Sequence, residues 1–144
     1  DPDTCLLGLN TRRSLQQVVE RVRTTRPPDL VVASGDLSHD GSAEAYACVR
    51  EQLGTLGAPV YCLPGNHDEN TMLHDCMNSD GFHVTDSLCT GGWQLLFLDS
   101  TRAGSEGGHL ADNELEKLDS ALAARPELPA LVWLHHQPVK VGSR

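Results

Sequence analysis

Hydrophobic residues along the chain switch repeatedly between helical and strand-like spacing. The first helix is indicated by four apolar residues at three- and four-residue intervals, Leu15, Val18, Val19 and Val22. We expect its cap at Thr11 or Ser14 and its end before Pro27-Pro28. The continuous apolar run at residues 30–34 predicts a buried strand that ends at Gly35-Asp36.

The same alternation continues to the end of the chain. Helices are predicted at residues 43–56, 70–78 and 112–124, with Asn70 or Thr71 capping the middle one. Strands are predicted at residues 59–63, 94–98 and 131–134, and antiparallel strands near Trp93 also fit the pattern. Alternating helices and strands predict a layered α/β fold.

Composition and charge limit the function classes. The chain has 144 residues, of which 39% are hydrophobic and 22% charged, so we expect one globular domain over residues 1–144. Eleven Lys and Arg against twenty Asp and Glu give a net charge of −9, and the basic residues are scattered. We therefore expect no nucleic-acid partner. An anionic substrate would need bound metal cations to offset this field.

The cysteines and the apolar runs bear on location. Five cysteines without a Cys-x-x-Cys pair argue against a disulfide framework and against a zinc ribbon, which favours the reducing cytoplasm. No apolar run approaches the roughly 20 residues that cross a bilayer, so we expect no membrane partner.

Polar residues follow the predicted strands. They are Asp36, Asn66-His67-Asp68, Asp99 and His135-His136. Ligands bind at the carboxyl edge of an open α/β sheet, where these side chains would meet. Oxygen and imidazole donors suit divalent Mn, Fe or Zn ions, so the sequence predicts a metal site. The other four histidines lack ligand-type residues at suitable spacing, and we expect them to be solvated. They are His39, His74, His83 and His109.

Three of these motifs resemble a known family. Gly35-Asp36, Gly65-Asn66-His67-Asp68 and a later strand-terminal His match three of the five signature blocks of calcineurin-like metallophosphoesterases. That resemblance implies an α/β/β/α sandwich, here incomplete. Further likenesses to bacterial class III 3′,5′-cyclic nucleotide phosphodiesterases lie at Asp40-Gly41-Ser42 with Tyr46, at Leu98-Asp99-Ser100, in the glycine-rich loop 104–108 and at His135-His136-Gln137-Pro138-Val139.

The resemblance implies a dinuclear centre of two divalent ions, of the Fe, Mn or Zn type. Asp36 would bridge both ions, and Asn66 with a strand-end histidine would hold the second. A bridging hydroxide would attack the phosphorus of cyclic AMP and yield 5′-AMP. His67 would donate a proton to the departing sugar oxygen, and Asp68 would hold its ring.

The histidine ligand is left open by the sequence. The family motif is His-His-Pro-Pro, whereas Gln137 occupies its third position here. Gap-free alignment favours His135 as the ligand, and counting back from Pro138 favours His136.

Two signature blocks are missing, because the chain contains neither an N-terminal Asp-x-His nor a Gly-His-x-His. We expect a truncated chain that holds at most one ion weakly and that pairs as a homodimer. Two other functions stay open. In the first, the longer protein from which a truncated chain would come hydrolyses other substrates, such as phosphomonoesters or glycerophosphodiesters. In the second, the chain is an inactive fragment that acts as an interaction module.

Overall fold

The computed structural model describes residue 5 and residues 7–139. The helices found there are α1 (Thr11–Thr24), α2 (Ala43–Gly54), α3 (Asn70–Cys76) and α4 (Asp112–Ala124). The strands are β1 (Val31–Ser34), β2 (Val60–Leu63), β3 (Phe82–Val84), β4 (Ser87–Thr90), β5 (Trp93–Phe97) and β6 (Ala130–Trp133). Each of these helices is too short or too polar to cross a membrane.

The strands form two three-stranded sheets. The first has the order β1-β2-β3 and is parallel throughout. The second has the order β4-β5-β6, in which β5 runs antiparallel to β4 and parallel to β6. Helices alternate with parallel strands in both halves of the chain, which confirms the predicted α/β class.

Strand β2 shows how the sheets are layered. Its residues Val60 and Cys62 belong to a core cluster with side chains of α1, α2 and α3, while Leu63 belongs to a second cluster shared with β5. Tyr61 packs on that second cluster and stacks on Phe97 with ring centroids 5.6 Å apart. Alternate side chains of this strand thus pack against the helices on one face and against the second sheet on the other. Both faces of β2 are used, as a central strand requires.

Helix α4 covers the second sheet from its far side. The side chain of Gln94 in β5 donates from Nε2 to the carbonyl of Ala121 at 2.8 Å. The carboxylate of Glu114, itself buried, accepts from the backbone N–H of Asp99 at 3.1 Å. The layers therefore follow the order helix, sheet, sheet, helix.

Local details differ from the sequence-based predictions. The cap of α1 is Asn10, whose side chain accepts from the backbone N–H of Arg13. The cap of α3 is Glu69, whose carboxylate accepts from Thr71 and Met72. Hydrogen bonding from Met72 and then Thr71 lowers the pKa of Glu69. The short strands β3 and β4 were not separately predicted, because three or four residues carry too little periodicity.

Candidate functional site

Two glycines let three strand ends meet at one edge. A Cβ atom at Gly65 would overlap the carboxylate and backbone nitrogen of Asp36. A Cβ at Gly35 would lie 2.5 Å from Nδ1 of His135 and 2.8 Å from the Cα of Gly65. Side chains larger than hydrogen are therefore excluded where the loops after β1, β2 and β6 touch. The glycines of Gly-Asp and Gly-Asn-His-Asp are required by this contact.

Asp36 lies in the left-handed region of backbone space, with φ of 53°. Aspartate tolerates this conformation better than most residues, although the position is strained. Its Oδ1 accepts a hydrogen bond from the backbone N–H of His67 at 3.1 Å. The turn thus aims the carboxylate from the end of β1 across to the loop after β2.

His135 approaches the same carboxylate from β6. Its Nδ1 lies 2.9 Å from the carbonyl oxygen of Ser34, and its Nε2 lies 3.5 Å from Oδ1 of Asp36. Because a carbonyl only accepts, Nδ1 carries the hydrogen, which leaves the Nε2 lone pair on the Asp36 side when the ring is neutral. Two ligands of one tetrahedral ion are about 3.4 Å apart, given metal–ligand distances of about 2.1 Å. The pair fits a shared ion.

His136 is held elsewhere. Its Nδ1 lies 2.9 Å from Oγ of Ser100, and its Nε2 lies 3.2 Å from the carbonyl oxygen of Glu106. A Cβ at Gly108 would overlap this imidazole, so the glycine-rich loop packs directly on it. Both ring nitrogens have protein partners. Of the two candidate histidines, the structure brings His135 to Asp36.

Asn66 lies at the same edge, between Gly65 and His67. Its side chain is half-buried, and its two neighbours both contact Asp36. Within the described residues, no three side chains of His, Cys, Asp or Glu converge as a metal would require. The donors at the edge are therefore one carboxylate, one imidazole and one amide. That set fits part of the coordination of one ion, not a complete dinuclear centre.

Both carboxylate oxygens of Asp68 accept two hydrogen bonds each, and none of the four donors is His67. Its Oδ1 accepts from the backbone N–H of Ser38 at 2.9 Å and from the hydroxyl of Tyr46 at 3.0 Å. Its Oδ2 accepts from the N–H groups of Leu37 at 3.2 Å and Gly65 at 2.9 Å. The prediction that Asp68 holds the ring of His67 is wrong. The carboxylate instead ties the Asp36 loop to the Asn66 loop.

Tyr46 completes this connection. It is fully buried in α2, and its hydroxyl also accepts from the backbone N–H of Glu69 at 3.1 Å. Burial, which disfavours the phenolate, raises the pKa of Tyr46 well above its usual range. The phenol therefore stays protonated and donates to Asp68.

Replacing Asp68 with Asn tests its structural role. An amide of the same shape offers one accepting oxygen and places an NH₂ group against two donors. We expect the free energy of unfolding to fall by about 2–3 kcal/mol in urea denaturation, since hydrogen bonds to charged acceptors are lost. Asp75→Asn, an exposed change on α3, is the matched control and should shift it by less than about 0.5 kcal/mol. Unchanged stability in Asp68→Asn would contradict the assignment.

The imidazole of His67 is exposed and stacks on another histidine. Its ring centroid lies 4.6 Å from that of His39, with an angle of 29° between the ring planes. His39 is itself exposed, as predicted, but it is not remote from the site. Sequence reasoning missed this contact, although His39 stands only three residues after Asp36.

Comparison with known proteins identifies the family of the chain. The model of the calcineurin-like phosphoesterase family matches residues 8–143. The chain belongs to the calcineurin-like phosphoesterase family. Members of this family use divalent metal ions.

The chain is similar to several curated phosphodiesterases. The chain is 38% identical over 140 residues to the 3′,5′-cyclic adenosine monophosphate phosphodiesterase CpdA of Pseudomonas aeruginosa, covering 96% of this chain and 51% of the relative. It is 39% identical to CpdA of Escherichia coli K12, covering 95% of this chain and 50% of the relative. The glycerophosphodiester phosphodiesterase GpdQ of Enterobacter lignolyticus is 33% identical, over 81% of this chain and 44% of the relative. The chain spans about half the length of these relatives.

Asp99, at the end of β5 in this calcineurin-like domain, serves a structural contact. Its Oδ2 accepts from Nδ2 of Asn70 at 3.1 Å, and its Oδ1 accepts from the N–H of Thr101 at 2.7 Å. It therefore joins the start of α3 to the second sheet.

A cavity of about 360 Å³ lies beside the edge, where β2 and β5 face each other. Lys117 lines it, and its Nζ lies 2.8 Å from Oε1 of Glu114 and 3.0 Å from Oδ1 of Asp86. The hydrogen bond to Glu114, followed by the one to Asp86, raises the pKa of Lys117. The cation is thus already neutralised by two carboxylates. Lys117 is therefore not free to pair with a phosphate group in this cavity.

Proposed function

We propose that the protein is a metal-dependent phosphodiesterase that hydrolyses 3′,5′-cyclic AMP to 5′-AMP. The observation that carries the proposal is the approach of His135 to Asp36, with Nε2 and Oδ1 3.5 Å apart, beside the exposed imidazole of His67. Two relatives named as cyclic AMP phosphodiesterases match at 38% and 39% identity and support the substrate.

The proposed ligands are Asp36, Asn66 and His135, which would hold divalent ions of the Fe, Mn or Zn type. Divalent ions here would lower the pKa of a bound water and neutralise charge on the phosphoryl oxygens. A neutral amide such as Asn66 binds without adding negative charge next to an anionic substrate. Because the protein carries a net charge of −9, this local compensation is needed for a phosphodiester to approach.

His67 is proposed as the general acid. Its backbone is fixed to Asp36 by the 3.1 Å hydrogen bond, while its ring stays accessible to a substrate at the edge. When the bond between phosphorus and O3′ breaks, the imidazolium would transfer its proton to O3′ and leave a 3′-hydroxyl. The phosphate then stays on the 5′ oxygen, which accounts for the product.

The whole-protein activity needs more ligands than the described residues supply. Since the chain spans about half of its relatives and lacks two signature blocks, we expect at most one weakly held ion per 144-residue chain. Elemental analysis after equilibration with Mn²⁺ and gel filtration measures this ratio. Two retained ions per chain would show that other residues complete the centre.

The cytoplasm is the proposed location, and reduced thiols at Cys48, Cys62, Cys76 and Cys89 support it.

Pairing of two copies stays a prediction. Among the described strands, β6 is an edge strand of the second sheet and pairs only with β5. Its residues Leu131 and Val132 are 43% and 38% exposed. An accessible edge of this kind favours association.

A rate comparison tests the substrate. In the longest natural form of the protein loaded with Mn²⁺, we expect cyclic AMP to be hydrolysed with 5′-AMP as the sole nucleotide product. Glycerophosphoethanolamine and a chromogenic phosphodiester serve as competing substrates. If only the glycerophosphodiester is hydrolysed, the alternative represented by the GpdQ relative is correct. If no phosphoester is hydrolysed, the remaining alternative of an interaction module is favoured.

A further inference from the structure

We propose that His39 is a positioning residue that holds the imidazole of His67 in place for proton transfer. The geometry points to it because the two rings stack with centroids 4.6 Å apart and an interplanar angle of 29°. The inference rests on the proposed role of His67 as general acid. It assigns to His39 the orienting role that the family resemblance implied for Asp68.

The backbone on each side of His39 is held firmly. Ser38 is 2% exposed, and its N–H donates to Oδ1 of Asp68 at 2.9 Å. On the other side, Oδ1 of Asp40 accepts from the Ser38 hydroxyl and from the N–H of Ser42, both at 3.1 Å. The loop around His39 therefore has little freedom to move away from the site.

The loop that carries His67 is held to the same anchors. The N–H of His67 donates to Asp36, and the adjacent Asp68 binds both Ser38 and Leu37 of the His39 loop. A Cβ at Gly41 would lie 3.0 Å from Cβ of Glu69, so the two loops also pack together beyond the rings. The stack thus joins two side chains whose loops are tied to each other by hydrogen bonds.

The ring of His67 has few other restraints. No hydrogen bond from residue 5 or residues 7–139 reaches its nitrogens, and Asp68 has no free lone pair to offer. An exposed side chain without a partner changes rotamer within picoseconds to nanoseconds. Stacking restricts one face of the ring and leaves its nitrogen-bearing edges open to substrate. This arrangement lets His39 fix the direction of the proton donor without blocking it.

The test compares three variants in the longest natural form of the protein. His39→Ala removes the stack, His39→Phe keeps an aromatic face, and His83→Ala removes another stacked imidazole, the one on Tyr61. An aromatic pair contributes enough that we expect His39→Ala to lower kcat about three- to tenfold with KM unchanged. His39→Phe should restore most of kcat, and His83→Ala should leave it unchanged.

Histidine ring NMR of the metal-free chain gives a readout that does not depend on activity. We expect the ring carbon-bound protons of His67 to move downfield in His39→Ala, because the ring current of the stacked partner is lost. They should keep their upfield position in His39→Phe and in His83→Ala.

The outcomes separate this inference from the proposed function. If His67→Ala leaves activity intact, the proposed role of His67 as general acid is wrong. The shift of the His67 ring protons in His39→Ala still reports whether the two rings stack. If His67→Ala is inactive but His39→Ala changes neither kcat nor the His67 resonances, the positioning role is overturned. A fall in activity that His39→Phe does not restore, with the resonances unmoved, would also overturn it. In the His67→Ala background, His39→Ala should cause no further loss.

Discussion

Replacing Asp36 with Asn is expected to lower phosphodiester hydrolysis by about a thousandfold or more in the longest natural form of the protein. The amide keeps the shape of the side chain, tolerates the left-handed φ of 53°, and can still accept from the His67 N–H. It removes the negative charge and replaces one carboxylate oxygen with an NH₂ group that cannot bind a cation. We therefore expect several kcal/mol of metal-dependent transition-state stabilisation to be lost. Initial rates with cyclic AMP at saturating Mn²⁺ measure the effect.

Asp119→Asn is the matched control, because Asp119 is exposed on α4 and the change removes the same charge. Its rate should equal that of the unchanged protein. Binding of Mn²⁺, followed by the EPR signal of the free ion, should weaken in Asp36→Asn and not in Asp119→Asn. Full activity with unaltered Mn²⁺ binding in Asp36→Asn would exclude this carboxylate from the metal site.

A second large effect is expected from Gly65→Ala. The added methyl group would overlap the carboxylate and nitrogen of Asp36, so the loops after β1 and β2 must separate. Overpacking of this kind costs about 1–3 kcal/mol of unfolding free energy. Misplacement of a catalytic group by about 1 Å can lower a rate about a hundredfold, and we expect a loss of that size in kcat. Urea denaturation and cyclic AMP turnover report the two effects separately.

Gly107→Ala is a close control for this change. Neither Gly65 nor Gly107 needs a left-handed backbone, but a Cβ at Gly107 meets only the Ser105 hydroxyl, at an ordinary 3.6 Å. The two variants therefore differ in steric overlap and not in backbone strain. If Gly65→Ala is as stable and active as Gly107→Ala, the close contact of the two loops is not required.

Much of the fold was predictable from local signals. Helix α4 was predicted at its observed bounds, because its apolar spacing and the following Pro126 are unambiguous. The caps of α1 and α3 were misplaced by one or a few residues, since several neighbouring polar side chains could accept the same N–H groups. Strand β3 was missed because its three residues gain their order from pairing with β2.

The site divides in the same way. Asp36, Asn66, His67 and His135 could be named from the sequence because each follows a predicted strand within a recognisable motif. The choice between His135 and His136 required the structure, since adjacent residues at a strand end point in different directions. One ring faces Asp36, and the other faces Ser100 and Glu106.

The sequence alone determined the family, the α/β class and the edge at which the polar residues gather, because these depend on motifs and on periodicity along the chain. The tertiary structure decided which side chains meet there. Asp68 accepts hydrogen bonds from four donors in three segments of the chain, and the imidazole of His39 stacks on that of His67. Both results depend on how closely the loops after β1 and β2 approach, a distance set by Gly35 and Gly65 in the packed fold.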